Sequence, residues 1–145
     1  MEKVPLIYSG KNKVGDFGWM IKQPQYNQML FLFNDNQEQF IAFMKPFMNA
    51  CTPGGGNAIV RPYQCTDPPR AAGIPTGKGI KGYTDLSEAK PFIDEAFKRI
   101  NNLLQSGKYT SVGYSAAEDG RSLGTAIFAP SNEVKAYILQ KIEEL

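Results

Sequence analysis

The sequence predicts an α/β domain, and three observations carry that expectation. The continuous apolar run Met29-Leu30-Phe31-Leu32-Phe33 has the character of a strand covered on both faces, as at the centre of an α/β sheet. Apolar residues then repeat at helical spacing in two later stretches, 89–104 and 134–142. Glycine-rich runs stand between these elements, the most pronounced being Thr52-Pro53-Gly54-Gly55-Gly56-Asn57-Ala58.

Taken in order, Val4-Pro5-Leu6-Ile7-Tyr8 reads as a short strand ended by Ser9-Gly10, followed by a polar loop that contains Gly15 and Gly18 and carries Phe17 and Trp19. The apolar run 29–33 stops at Asn34-Asp35-Asn36, where a helix begins; either Asp35 with Glu38 or Asn36 with Gln39 fits a capping box. Phe40, Phe43, Met44 and Phe47 share one face of that helix, and Pro46 limits it. After the glycine run, Ala58-Ile59-Val60-Arg61-Pro62-Tyr63 reads as a strand, with Pro62 arguing for an edge position or an early end. Residues 67–83, rich in Pro and Gly, are expected to be mostly loop. The longest helix follows, with Ser87 as its expected cap and Gly107 as its left-handed close. Thr110–Ser115 is the next strand, and a helix starting near Ser131 buries Val134, Ile138 and Ile142.

Two strand-loop-helix units result, 31–44 and 112–142. Because ligands of open α/β sheets lie at the carboxyl ends of the strands, 34–36 and 116–128 are expected to share a pocket.

Composition narrows the function. The 145 residues amount to one domain, 1–145, able to bury roughly two-thirds of its unfolded surface. With a net charge of +2 and scattered basic residues, the chain lacks the dense Lys/Arg face of a long nucleic-acid binder, whereas a small phosphorylated ligand fits. No run approaches the roughly 20 apolar residues of a membrane helix, and Met1-Glu2-Lys3-Val4-Pro5 has no signal-peptide pattern, so the cytoplasm is the expected compartment. Cys51 and Cys65 are expected to be two buried thiols there. Histidine is absent, which removes His-based acid–base chemistry, Ser-His-Asp triads and most zinc or iron sites; no metal or other cofactor is expected.

A run of glycines offers backbone N–H donors that can approach a ligand closely, and successive N–H groups in a curved loop form a nest for phosphate. Gly54-Gly55-Gly56 and Ser122-Leu123-Gly124-Thr125 are both candidates, though neither matches a P-loop or a dinucleotide fingerprint.

Over residues 29–145 the order of segments resembles the macrodomain family of ADP-ribose binders. Phe33-Asn34-Asp35-Asn36 is similar to the family's Asn-rich strand end, and Gly54-Gly55-Gly56-Asn57-Ala58 to its Gly-Gly-Gly-x-Ala segment. Pro75-Thr76-Gly77 looks like its Thr-Gly segment, and Ser122–Phe128 like its second ligand loop. The chain departs from the family in the spacing of its asparagines, in the capped helix between them and the glycines, and in the insertion of Thr125-Ala126. The resemblance implies a three-layer macro-like fold, a mixed central sheet flanked by helices. It also implies a pocket for ADP-ribose or a cyclic ADP-ribose signal built from Asn34, Asp35, Asn36, Gly54, Gly55, Gly56, Asn57, Arg61, Thr76, Gly77, Ser122, Gly124, Thr125 and Phe128. Within it, Arg61 and Arg70 are candidates for a pyrophosphate, Asp35 for an adenine amino group or ribose hydroxyl, and Asn36 and Asn57 for a ribose. Phe17, Trp19, Tyr63, Tyr83 and Phe128 are candidates for stacking, Phe128 foremost, and Arg121 is a further phosphate candidate. Asp35 with Asp119 is the one pairing considered for base or metal chemistry.

Three functions remain: capture of an ADP-ribose-type nucleotide, favoured because no activated nucleophile is legible; a macrodomain-type ADP-ribosyl or ADP-ribose-phosphate hydrolase; and a protein-interaction subunit. Some phage proteins of similar size sequester nucleotide immune signals, so capture would suit an anti-defence role in a host cytoplasm. Homo-oligomerisation is left open.

Overall fold

Strand β2 (Met29–Asn36) sets the layering. Side chains alternate across a strand, and here both sets are apolar: Leu30 and Leu32 face one way, Met29, Phe31 and Phe33 the other. A strand of this kind must be covered twice. In the computed structural model, which describes residues 1–45, 50–125 and 129–145, it lies at the middle of a five-stranded sheet. The other strands are β1 (Glu2–Ile7), β3 (Ala71–Lys78), β4 (Lys81–Gly82) and β5 (Ser111–Ala116), in the order β1-β5-β2-β3-β4. β1, β5, β2 and β3 run parallel and β4 antiparallel. The fold is therefore α/β with a mixed sheet.

Helices α3 (Leu86–Gln105) and α4 (Asn132–Glu143) cover one face, where Ala89, Ile93, Phe97 and Ile100 meet Val134, Ile138 and Ile142 over Leu30, Leu32, Ile74 and Val112. The other face is covered by the short helix α1 (Phe17–Met20) and a 3-10 helix, Gly56–Cys65. There Phe17, Met20, Ala58 and Val60 pack on Phe31 and Phe33, with Phe17 edge-on to Phe31 at 5.3 Å between ring centroids. Helix α2 (Gln37–Met44) follows β2 directly.

Local signals explain the boundaries. Asn36 caps α2, its Oδ1 accepting from Gln39 N–H at 2.8 Å, so the second of the two expected capping pairs is the one used. Helix α4 starts where expected, and Ser131 caps it, its Oγ accepting from Val134 N–H at 3.3 Å. Gly107, at φ +76, closes α3 as expected. Asp85, not Ser87, caps the start of α3, accepting from Ser87 N–H at 2.9 Å.

Three expectations are corrected. Ala58–Tyr63 is not a strand: Ala58, Arg61 and Gln64 are buried at a spacing of three, which matches the 3-10 repeat and not the alternation of a strand. The stretch 67–83 is not mostly loop, because 71–77 form a buried inner strand. Its small residues fit large neighbours: a Cβ on Gly73 would stand 3.1 Å from the Phe33 ring and 3.2 Å from the Asp35 carboxylate. Pro75 is tolerated because β4 pairs with β3 only at Gly77 and Lys78, leaving that side of β3 without a strand partner at Pro75. Finally, Cys51 and Cys65 are joined in a disulfide, with Cys65 exposed and Cys51 half-buried. The expected positions of Pro46 and Phe47 lie outside the described residues. Among the described residues, no helix is long and apolar enough to cross a membrane.

Phe31 is fully buried at the centre of the sheet. Phe31→Ala is expected to lower unfolding free energy by about 3–5 kcal/mol, measured by urea denaturation; a loss under about 1 kcal/mol would contradict the packing described.

Candidate functional site

From β2 the chain proceeds outward to β3 and β4, then returns through α3 to place β5 on the other side of β2. The carboxyl ends of β2 and β5 therefore form a topological switch point, the place where open α/β sheets leave a crevice. A cavity of about 310 Å³ opens there. It is lined by Asn34, Asp35 and Asn36 from β2, by 54–58 and Arg61, by Thr76 of β3, and by Ser115, Gly124 and Thr125. A second cavity, about 640 Å³, adjoins it and shares Gly56, Asn57, Ser115, Gly124 and Thr125. Its remaining wall includes Ile7, Tyr8 and Ile59, all largely exposed, together with Lys11, Asp16 and Glu118. Both volumes fall within the range typical of small-molecule sites, roughly 300–1,000 Å³.

Beneath the glycine run lies a buried ion pair. Asp35 is 2% exposed and Arg61 5%, and the two meet through two hydrogen bonds, Arg61 Nη2 to Oδ1 at 2.6 Å and Nε to Oδ2 at 3.3 Å. Arg61 Nη1 also donates to the Thr52 carbonyl at 3.1 Å, and Asn36 N–H donates to Asp35 Oδ1 at 2.8 Å. A Cβ on Gly54 would stand 2.9 Å from both terminal guanidinium nitrogens, so glycine is required there for the loop to close over Arg61. Asp35 and Arg61 thus line the cavity as expected, but each is already partnered by the other.

Other expected ligand groups also build the walls. Asn34 Nδ2 donates to the Gly124 carbonyl at 2.7 Å, fixing the second glycine loop to the end of β2. Thr76 Oγ1 donates to the Asp35 carbonyl at 3.3 Å. In the glycine run, Gly54 N–H donates to Ala58 and Ala58 N–H to Gly55, which makes Gly55 the cap of the 3-10 helix. The amides of Gly56 and Asn57 precede its first hydrogen bond and, among the described residues, are the unfilled donors of a helix N-terminus. Such a terminus favours an anion. Asn57 and Thr125 line both cavities, and neither side chain has a hydrogen-bond partner among the described residues.

Several expected residues stand elsewhere. Gly77 is buried in β3, paired with Asn36 and Gly82, and lines neither cavity. Ser122 belongs to an exposed turn, where its amide and hydroxyl donate to Asp119. Phe128 lies outside the described residues. Arg70 sits at the opposite end of β3, donating to the Tyr26 carbonyl at 2.8 Å, and partial burial lowers its pKa. Phe17 is core, Trp19 and Tyr63 pack against the same cluster, and Tyr83 is buried with its hydroxyl on Gln37 at 2.8 Å. Arg121 is exposed and lines neither cavity. Ala58 lines the site as the last residue of the expected Gly54–Ala58 segment, and Ser115 lines it although no motif marks it. The signal for Ser115 is its place at the end of an expected strand beside the expected pocket.

Asp119 is held at a pKa of about 2, chiefly by amide hydrogen bonds from Ser122 and Arg121 and by the Ser122 hydroxyl. It is committed to its turn, and Asp35 to Arg61, so the two do not form a base or metal pair. Among the described residues, no group of three or more His, Cys, Asp or Glu side chains is placed to hold a metal ion. Comparison with protein-family models, with curated proteins and with solved structures finds no match.

Two outcomes follow. Arg61→Met, which leaves Asp35 buried without its counter-charge, is expected to cost about 3–5 kcal/mol in urea unfolding, part of it recovered in Asp35→Asn/Arg61→Met; a loss under about 1 kcal/mol would contradict the pairing. The Asp119 carboxyl should titrate by NMR with a midpoint of about 2. Its folded pKa is depressed, so whatever stability it adds is present above the ordinary carboxylate range and fades as pH falls toward 2; a midpoint near 4 would contradict the hydrogen bonds.

Proposed function

We propose that this cleft captures an ADP-ribose-type nucleotide. The supporting observation is convergence: the Asn34–Asn36 strand end, the Gly54–Asn57 run, Thr76 and the Gly124–Thr125 loop all line one cavity at the sheet's switch point. These are the parts of the chain that resemble the ligand segments of macrodomains. On this reading the Gly56 and Asn57 amides receive phosphate oxygens, Asn57, Thr125 and Ser115 take sugar hydroxyls, and the base extends into the second cavity beside Tyr8 and Ile59.

Capture is favoured over hydrolysis by the state of Asp35. A general base must reach the proton it removes with an available carboxylate oxygen, and both Asp35 oxygens accept from Arg61. Capture without turnover is also what a sequestering protein in a cytoplasm, such as a phage anti-defence factor, requires.

Thermal denaturation with ADP-ribose tests the reading. Ligand at 100 times its dissociation constant should stabilise the protein by about 2.7 kcal/mol, and heat-released ligand should be intact and stoichiometric. No stabilisation by ADP-ribose or its cyclic forms would overturn nucleotide binding, and altered ligand would replace capture with hydrolysis. Gly55→Val makes the test local. Gly55 has φ −77 and ψ 160, which valine adopts freely, so the variant should fold normally yet lose ligand stabilisation. Unchanged binding would put the site elsewhere.

A further inference from the structure

The wall formed by the glycine run and its 3-10 helix is tied off at both ends of one segment. Cys51 and Cys65 are joined across 14 positions, with their Cα atoms 6.1 Å apart, and beside them Gln64 Nε2 donates to the Ala50 carbonyl at 2.9 Å. Between these ties lie six lining residues of the first cavity: Gly54, Gly55, Gly56, Asn57, Ala58 and Arg61. The far half of the segment is anchored to the sheet by Arg61 on Asp35 and by buried Val60. The near half, Thr52–Gly55, is held among the described residues by the Arg61–Thr52 contact and by two backbone bonds to one residue, Gly54 N–H to the Ala58 carbonyl and Ala58 N–H to the Gly55 carbonyl, apart from the disulfide next to it.

We propose that the Cys51–Cys65 disulfide is a redox latch on the ligand site, holding the glycine run in its binding geometry when formed and releasing it when reduced. The proposal rests on the reading of this cleft as a nucleotide site. Cys65 is the more exposed of the two cysteines, and the proposed exchange begins at its Sγ. A small thiol such as glutathione, as thiolate, bonds to Cys65 Sγ while Cys51 leaves as thiolate and takes a proton from water. A second thiolate then bonds to the small-thiol sulfur of the mixed disulfide and expels Cys65 thiolate, giving the oxidised small disulfide. Two electrons pass from the two small thiols to the protein disulfide, and the reverse exchange restores the bond. In a cytoplasm, where structural disulfides are rare, a bridge of this kind is characteristically redox-sensing. Opening it raises the number of conformations of the near half, so the fraction ready to bind falls and apparent affinity falls with it.

Amide hydrogen exchange and ADP-ribose binding, each measured on the oxidised protein, on protein reduced with millimolar glutathione, and on Cys51→Ser/Cys65→Ser, test this. Reduction should speed exchange of the hydrogen-bonded Gly54 and Ala58 amides by about tenfold or more, leave the β2 and β3 amides unchanged as the control for folding, and weaken ADP-ribose binding by about fivefold or more, reversibly on reoxidation. A disulfide that resists glutathione, or exchange at Gly54 and Ala58 that is the same in both states, overturns the latch. Equal ADP-ribose affinity in both states overturns its control of binding and leaves the nucleotide reading standing. Accelerated exchange with no ADP-ribose binding in either state does the opposite: the latch on the loop stands and the nucleotide reading fails. Should the double serine variant lose its β2 protection, the reduced wild-type chain supplies the comparison.

Discussion

The buried pair Asp35–Arg61 is the constraint around which the site is organised. A carboxylate at the inner end of β2 cannot remain charged in an apolar setting without a partner. Arg61 supplies one from the opposite element, the 3-10 helix, and in doing so fixes the distance between that helix and the sheet. The same guanidinium holds the Thr52 carbonyl, so the start of the glycine run is set by the same interaction. Gly54 must lack a side chain because the guanidinium lies directly beneath it, and Gly73 must be small partly because the carboxylate lies against it. Two charges that sequence reasoning offers to a ligand thus form the floor on which neutral donors are arranged.

That arrangement gives the cleft its chemical character. Its polar groups without a hydrogen-bond partner among the described residues are amides, an asparagine, a threonine and a serine, which suit hydroxyls and phosphate oxygens, while Ile7, Tyr8 and Ile59 offer apolar surface next door. The switch point between β2 and β5 explains why the groups converge: Asn34 reaches across it to the Gly124 carbonyl and brings the second glycine loop against the first.

The legible parts of the chain were those in which one short-range rule acts alone. The apolar run 29–33 has the pattern of a strand covered on both faces, and Asn36, Ser131 and Gly107 act through local backbone geometry. The asparagines and Gly124–Thr125 are legible through the rule that places ligands at strand ends, the glycine run through its nest of backbone donors, and Thr76 only through the macrodomain resemblance. What was hidden depends on tertiary partners. β3 has the composition of a loop, and becomes a strand because large Phe33 and Asp35 require small neighbours across the ladder. The segment after the glycines reads as a strand, yet Arg61 turns inward at the same period as Ala58 and Gln64, which a 3-10 helix allows. Pairing of Arg61 with Asp35, and of Cys51 with Cys65, joins residues that are distant in sequence or whose state is set by surroundings, and no local pattern announces either.

The most direct test of the cleft as the binding site is amide chemical-shift mapping during titration with ADP-ribose. The account predicts saturation at one ligand per chain, with the largest shifts at Gly55, Gly56, Asn57, Ser115, Gly124 and Thr125 and none around Gln25, Tyr26 and Thr110 at the opposite end of the sheet. Shifts centred at that opposite end, or no saturable shifts at all, would contradict it.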